Sequence, residues 1–118
     1  MKAIGYMQSL PISSPESLID IELPQPTAAG YDLLVQVKSI AVNPVDYKIR
    51  QNVEPQGDKY KVLGWDACGT VVSVGEGVSF FNQGDKVYYA GDITRSIRCS
   101  DQPACCRFES GRRHVKTG

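Results

Sequence analysis

The sequence predicts a mainly β domain, a small barrel or sandwich with one short helix, and three observations predict it. Thr70, Val71, Val72 and Val74 crowd β-branched side chains into one stretch, the residue type that fits a pleated surface. Apolar and polar residues alternate in Ile19-Asp20-Ile21-Glu22-Leu23, and a longer β-type run spans 33–42, which is strand periodicity. Glycine and proline punctuate the gaps between these runs, as they do between short strands joined by turns.

Taken in order, Lys2 to Met7 alternates weakly and ends near Pro11, giving a first strand. Ser13-Ser14-Pro15-Glu16 offers a helix-start pattern, but period two takes over from Ile19 to Leu23, so this segment is assigned to a strand. Pro24 and Pro26 end it, because proline cannot donate to a ladder, and Gly30-Tyr31-Asp32 turns the chain into the next element. In Leu33 to Val42, Leu33, Val35, Val37 and Ala41 fall on one face and Leu34, Gln36, Lys38, Ile40 and Val42 on the other. Both faces grow apolar toward its end, so the expected strand starts half exposed and finishes buried. Asn43-Pro44 stops it and starts a helix to about Arg50: asparagine is a good N-cap, proline suits the first helical position, and Val45 and Ile49 share a face. Residues 52–61 are polar, contain Pro55 and Gly57, and are expected to form a loop. Between Ala67 and Gly75 lies another strand, and Lys86 to Ala90 forms the next, with Val87 and Tyr89 on one face. Gly75 and Gly77 around Glu76 suggest a tight connection, since glycine tolerates positive φ and close backbone approach.

With 118 residues there is room for one domain. Lysine plus arginine and aspartate plus glutamate are both 13, so nothing in the charge balance argues for a nucleic-acid partner or an anionic membrane surface. The start, MKAIGYMQSLPIS, is neither a signal peptide nor a membrane span, and a cytoplasmic location is expected. Without a secretory signal, Cys68, Cys99, Cys105 and Cys106 are read as reduced thiols, with Cys68 packed as a small hydrophobe.

The residues that could carry chemistry cluster in two places. Asn43 has an amide that both donates and accepts, so it can serve as the helix N-cap, contact a polar ligand, or both. Asp46, three residues on, can reach back to the cap N–H and meets the helix dipole favourably; it can also pair with Arg50 or move a proton. Tyr47 could stack on a flat substrate or donate a proton, Lys48 could approach a phosphate, and each could equally be a surface residue. Trp65 is expected to form a large apolar wall.

The pattern G-W-D-x-x-G-x-V-x-x-V-G-x-x-V at 64–78, followed by F-x-x-G-D-x-V at 81–87, resembles the amino-terminal domain of the medium-chain dehydrogenase/reductase superfamily. N-P-x-D-x-K-x-R at 43–50 is similar to a signature of its quinone oxidoreductase and zinc-type alcohol dehydrogenase-like branch. The resemblance implies a GroES-like, partly open barrel over residues 1–95. It implies an NADPH-dependent oxidoreductase that passes hydride to a quinone, an enone or another activated carbonyl compound. Asn43 and Asp46 would then stand at the reacting centre and against the cofactor, and Tyr47, Lys48 and Trp65 against a small-molecule substrate.

No zinc is expected. The zinc-dependent relatives have cysteine at the position of Asn43 and histidine and glutamate at those of Trp65 and Asp66, and neither Asn43 nor Trp65 can serve as such a ligand. Gly75-Glu76-Gly77 begins a G-x-G, but Phe80 stands where the third glycine of a dinucleotide fingerprint belongs. The nucleotide-binding domain is therefore expected to be missing, leaving a truncated domain that is inactive alone, with an exposed apolar patch that favours a homo-oligomer. Residues 96–118 have no apolar period and carry five basic and two acidic residues. They read as a poorly packed, non-family tail from a shifted frame, vector sequence or alternative end, and Cys99, Cys105, Cys106 and His114 match no familiar zinc spacing. The competing reading is a non-enzymatic GroES-like binding module.

Overall fold

The computed structural model describes residues 2–57, 59–90, 103–107 and 115–117. In chain order these form β1 (Lys2–Tyr6), β2 (Ile19–Glu22), β3 (Asp32–Ala41), helix α1 (Pro44–Asn52), β4 (Lys61–Val62), β5 (Asp66–Val74), β6 (Lys86–Ala90), β7 (Pro103–Arg107) and β8 (Val115–Thr117). The strands make two small antiparallel sheets, ordered β2-β1-β4 and β7-β3-β5-β6-β8. Among the described residues the sheets do not close into one barrel, which agrees with the expected partly open, mainly β, GroES-like fold with one helix.

The main core lies on one face of the larger sheet, where Leu33, Val35 and Val37 of β3 meet Ala67 and Val71 of β5 and Val87 and Tyr89 of β6. Full burial of each valine or leucine contributes about 1.5–3 kcal/mol relative to leaving it exposed. A smaller cluster joins Ala3, Ile21 and Val62 across β1, β2 and β4.

Several local expectations need correction. The segment after Ser14 is split: proline at the first position starts a single 3-10 turn, Pro15–Ser17, before β2 begins. The expected loop 52–61 ends in a two-residue strand, β4, which pairs with Gly5 and Tyr6 of β1. Burial along β3 runs opposite to the expectation: Asp32–Val35 is buried and residues 38–41 are exposed. Its first half is flanked by β5 on one side and β7 on the other, whereas beyond Gln36 only β5 is paired with it among the described residues. A register shift between Val37 and Ser39 also sets Ile40 opposite Ala67 and Ala41 opposite Asp66, as an extra residue in one strand does. Cys68 is exposed, because β5 turns Ala67, Gly69 and Val71 inward and Cys68 outward. In the region assigned to a tail, the described parts are β7, paired with β3, and β8, paired with β6; the rest lies outside the described residues.

Gly75 and Gly77 do not use positive φ, which among the described glycines occurs at Gly30, Gly57, Gly64 and Gly84. They allow close approach. Their N–H groups donate to the carbonyls of Asp32 and Gly30 at 2.8 Å each, and a Cβ on Gly75 would stand 2.3 Å from the Gly30 oxygen. The Gly30 N–H in turn donates to Glu76 at 2.9 Å. Bonds from the Glu76 and Gly30 backbone hold this exposed carboxylate below the usual glutamate value.

β1 also anchors the helix. The phenol of Tyr6, fully buried, stands 3.0 Å from the Ile49 carbonyl and 2.6 Å from that of Val53, so one O–H adds to the bonds that the Val53 N–H and the Ser9 hydroxyl already make to these two carbonyls at the end of α1. Arg50, also buried, donates through Nη1 to the Leu10 carbonyl at 2.7 Å. Burial and, to a smaller extent, Glu54 raise the Tyr6 pKa, against a lowering by Arg50.

Two predictions follow from this packing. Tyr6→Phe should destabilise the fold by about 0.5–1.5 kcal/mol, the net worth of a hydrogen bond, because the Ile49 carbonyl keeps the Val53 N–H and the Val53 carbonyl keeps the Ser9 hydroxyl. Since the folded phenol holds its proton more tightly than the unfolded one, Tyr6 contributes stability that is intact below the ordinary tyrosine pKa and lost as pH rises through the raised value. Urea unfolding above pH 10 should show this decline in wild type, and a phenylalanine variant with an unchanged decline would refute the assignment. Gly75→Ala should cost about 1–3 kcal/mol by forcing the Gly30 turn away, read as a lowered denaturation midpoint.

Candidate functional site

The start of α1 and the entry to β5 meet at the candidate site. Asn43 is the N-cap of α1, with extended φ −127° and ψ 165°, and Pro44 opens the helix. Asp46 Oδ2 accepts the Asn43 N–H at 2.7 Å, and the Asp46 N–H donates to the Asn43 carbonyl at 2.9 Å. A carboxylate at this position also faces the positive end of the helix dipole. The other oxygen of Asp46 leaves the helix: Oδ1 accepts the N–H of Gly64 at 3.0 Å. Gly64 has φ +99°, a conformation that suits glycine, and it aims this N–H just before Trp65 and β5.

A second tie runs the other way. Nδ2 of Asn43 donates to Oδ2 of Asp66, the first residue of β5. Asp66 lies at the end of the sheet, paired with Ala41 of β3 and Ala90 of β6. Two carboxylates therefore each accept a hydrogen from the opposite element. Asp46 is only 9% exposed, while Asn43 and Asp66 are half-buried and remain open to a ligand.

The other candidate residues are less closely joined. Tyr47, 52% exposed, and Lys48 stand on the solvent side of α1. Trp65 is 2% exposed, between the two residues that bond to the helix start, and its indole N–H has no acceptor among the described residues. Arg50 does not serve as the counter-charge considered for Asp46; it reaches Leu10 instead. Gly64 and Asp66 are the site residues that sequence reasoning did not single out as contacts. Their signal was the G-W-D motif itself, in which Asp66 was weighed only as a metal ligand.

The site's chemistry is that of hydrogen bonding. Among the described residues no three histidine, cysteine, aspartate or glutamate side chains converge to hold a metal ion. Cys99 and His114 lie outside the described residues, and of Cys105 and Cys106 only the backbone is described. Gly75-Glu76-Gly77 is occupied by its own chain: both N–H groups point to the 30–32 turn, so they are not free to cradle a phosphate. No described helix is long and apolar enough to cross a membrane.

A family model for the alcohol dehydrogenase GroES-like domain matches residues 29–116. The chain belongs to that family. A zinc-type alcohol dehydrogenase-like protein of Staphylococcus epidermidis is 41% identical over 91 residues, 77% of this chain and 26% of that protein. The structure of a candidate zinc-dependent alcohol dehydrogenase protein of Rhizobium etli is 44% identical, with a TM-score of 0.77 over 99% of this chain and 31% of that one. The Escherichia coli quinone oxidoreductase, solved in complex with NADPH, is 26% identical, with a TM-score of 0.70 over 91% of this chain and 31% of its own. The resemblance carried by N-P-x-D-x-K-x-R and G-W-D thus extends to the amino-terminal domain of the medium-chain dehydrogenase/reductase superfamily. This GroES-like domain of an oxidoreductase family spans about a quarter to a third of the length of these relatives.

Asp46→Asn tests the helix-to-loop tie. The amide can accept one N–H but turns a donor toward the other, so the fold should lose about 1.5–3 kcal/mol. Denaturant titration should show a lower midpoint with an unchanged slope; an unchanged midpoint would exclude the double acceptance.

Proposed function

We propose that the chain is the substrate-side domain of an NADPH-dependent oxidoreductase, passing hydride to a quinone, an enone or another activated carbonyl compound. In this reading it needs a nucleotide-binding companion and is inactive without one. The observation that supports it best is the half-buried Asn43, held at its main-chain N–H by Asp46 and at its carboxamide by Asp66, at the edge of a domain whose relatives include oxidoreductases. The NADPH complex of the Escherichia coli relative supports the choice of cofactor.

The residues present fit one end of such a cofactor. Asn43 offers a polar edge suited to a carboxamide, whereas the glycines that might have received phosphates are engaged with the chain's own backbone. When bound, the nicotinamide supplies the hydride, and the protein's part is orientation and electrostatics. Asn43 would orient the reacting groups, and Asp46, tied to both Asn43 and Gly64, would keep Asn43 in place. Tyr47 and Lys48, exposed beside it, would meet the substrate's ring and polar substituents. Trp65 would close the cleft wall, and its unpartnered indole N–H is a donor that a ligand oxygen could satisfy. This assignment needs no metal ligand from the chain, and a cytoplasmic location accords with it.

NADPH consumption with a quinone acceptor tests the reading. The 118-residue chain alone should give no turnover, and clear turnover would overturn the dependence on a companion. Joined to the remaining part of the Escherichia coli quinone oxidoreductase, it should turn over, and Asn43→Ala in that hybrid should lower kcat by about tenfold to a hundredfold. A folded hybrid that binds NADPH yet reduces no quinone, enone or carbonyl compound would refute the oxidoreductase assignment.

A further inference from the structure

The start of α1 and the entry to β5 satisfy most of their own donors. The Asn43 N–H goes to Asp46 Oδ2 and the Gly64 N–H to Asp46 Oδ1. Nδ2 of Asn43 goes to Asp66, and the capping box turns the Asn43 side-chain oxygen to the Asp46 N–H. Of the donors named at this junction, the indole N–H of Trp65 is the one left without an acceptor among the described residues. A buried tryptophan N–H ordinarily finds a partner, and leaving it bare costs about 1–3 kcal/mol. Trp65 stands between Gly64 and Asp66, each bonded to the helix start, so its backbone is pinned on both sides and cannot drift to relieve that cost.

We infer that the Trp65 indole N–H is the donor that receives the carbonyl oxygen of the acceptor substrate. This rests on the oxidoreductase reading proposed above and names the substrate group that this chain recognises. The indole nitrogen donates and cannot accept, so it selects an oxygen lone pair. The surroundings select what carries that oxygen. Ile40, opposite Ala67 two residues beyond Trp65, is exposed, as are Val42 before Asn43 and Tyr47 after it, which suits a flat apolar ring bearing a carbonyl. When the acceptor takes hydride from NADPH at carbon, its carbonyl π pair moves onto oxygen and water supplies the proton, leaving NADP+ and the reduced acceptor. A fixed N–H at that oxygen stabilises the charge as it develops, with no reorganisation at the moment of reaction. Nε1 is shielded from water by the chain itself, so the oxygen enters by parting the side chains over it, and the bond it makes is stronger for being dry.

Trp65 is the sole tryptophan of the chain, so a nitrogen-15 spectrum of the full chain holds one indole resonance and needs no assignment. Duroquinone, whose methylated ring carbons cannot add to the Cys68 thiol, should move that proton downfield as it binds. Durene, the same methylated ring without carbonyls, should leave it in place. An indole unmoved by duroquinone, or moved alike by durene, would overturn the inference. Benzothienylalanine at position 65 keeps both rings and sets sulfur in place of the N–H, which tests the same bond in catalysis without a loss of packing. In the hybrid with the remaining part of the Escherichia coli enzyme it should lower kcat for duroquinone about a hundredfold and leave NADPH binding unchanged; an undiminished kcat also sinks the inference. The two measurements separate this from the functional reading. A hybrid that turns over while the indole stays unmoved strikes the donor and keeps the oxidoreductase. An indole that takes the quinone, in a folded hybrid that binds NADPH yet reduces nothing, strikes the oxidoreductase and keeps the donor.

Discussion

The structure depends on a pair of crossed hydrogen bonds between two segments about twenty residues apart. Asp46, on the helix, accepts from Gly64 in the loop, and Asp66, at the start of the strand, receives the side-chain amide of the helix cap. Neither element could hold this geometry alone. A nine-residue helix is too short to be stable in water without tertiary support, and a glycine at positive φ is costly to order in an isolated loop. Each aspartate fixes the other's element, and Asn43 is held between them, by its main-chain N–H on one side and its side-chain amide on the other.

The opposite end of the helix is held with equal care. Tyr6 and Arg50 link α1 to β1 and to the segment after it, so the smaller sheet fixes where the helix ends while the larger sheet fixes where it begins. The helix thus bridges the two sheets, and a displacement of either would be felt at Asn43. This gives the smaller sheet a part in the site even though none of its residues reaches it.

What was legible in the sequence was local. Asn43, Pro44 and Asp46 announced the helix start because cap, first position and third position are fixed by the geometry of one turn. The β-branched run announced β5 in the same way. What was not legible depended on residues far apart in the chain. Alternation places Leu33, Val35 and Val37 on one face but cannot say which end of β3 lies between two neighbours, so its burial gradient was read in reverse. The bulge that resets Ile40 against Ala67 has no local signature, and the same holds for the exposure of Cys68. Tyr6 lies 43 residues from Ile49, and Asn43 lies 23 from Asp66. No pattern within a single element reports either contact.

The reversed gradient of β3 also explains why the site lies where it does. Packing is densest at the beginning of the strand and gives out after Val37. Ile40 is 49% exposed and Val42 82%, immediately before Asn43, and Tyr47 follows it at 52%. A polar group intended for a ligand must sit where the domain's own core ends, since a fully buried amide would need all its partners from within. It must also be rigid, which a surface loop would not ensure. Placing the cap of a short helix at the unfinished end of a strand, and fixing it with a carboxylate from each side, meets both demands at once.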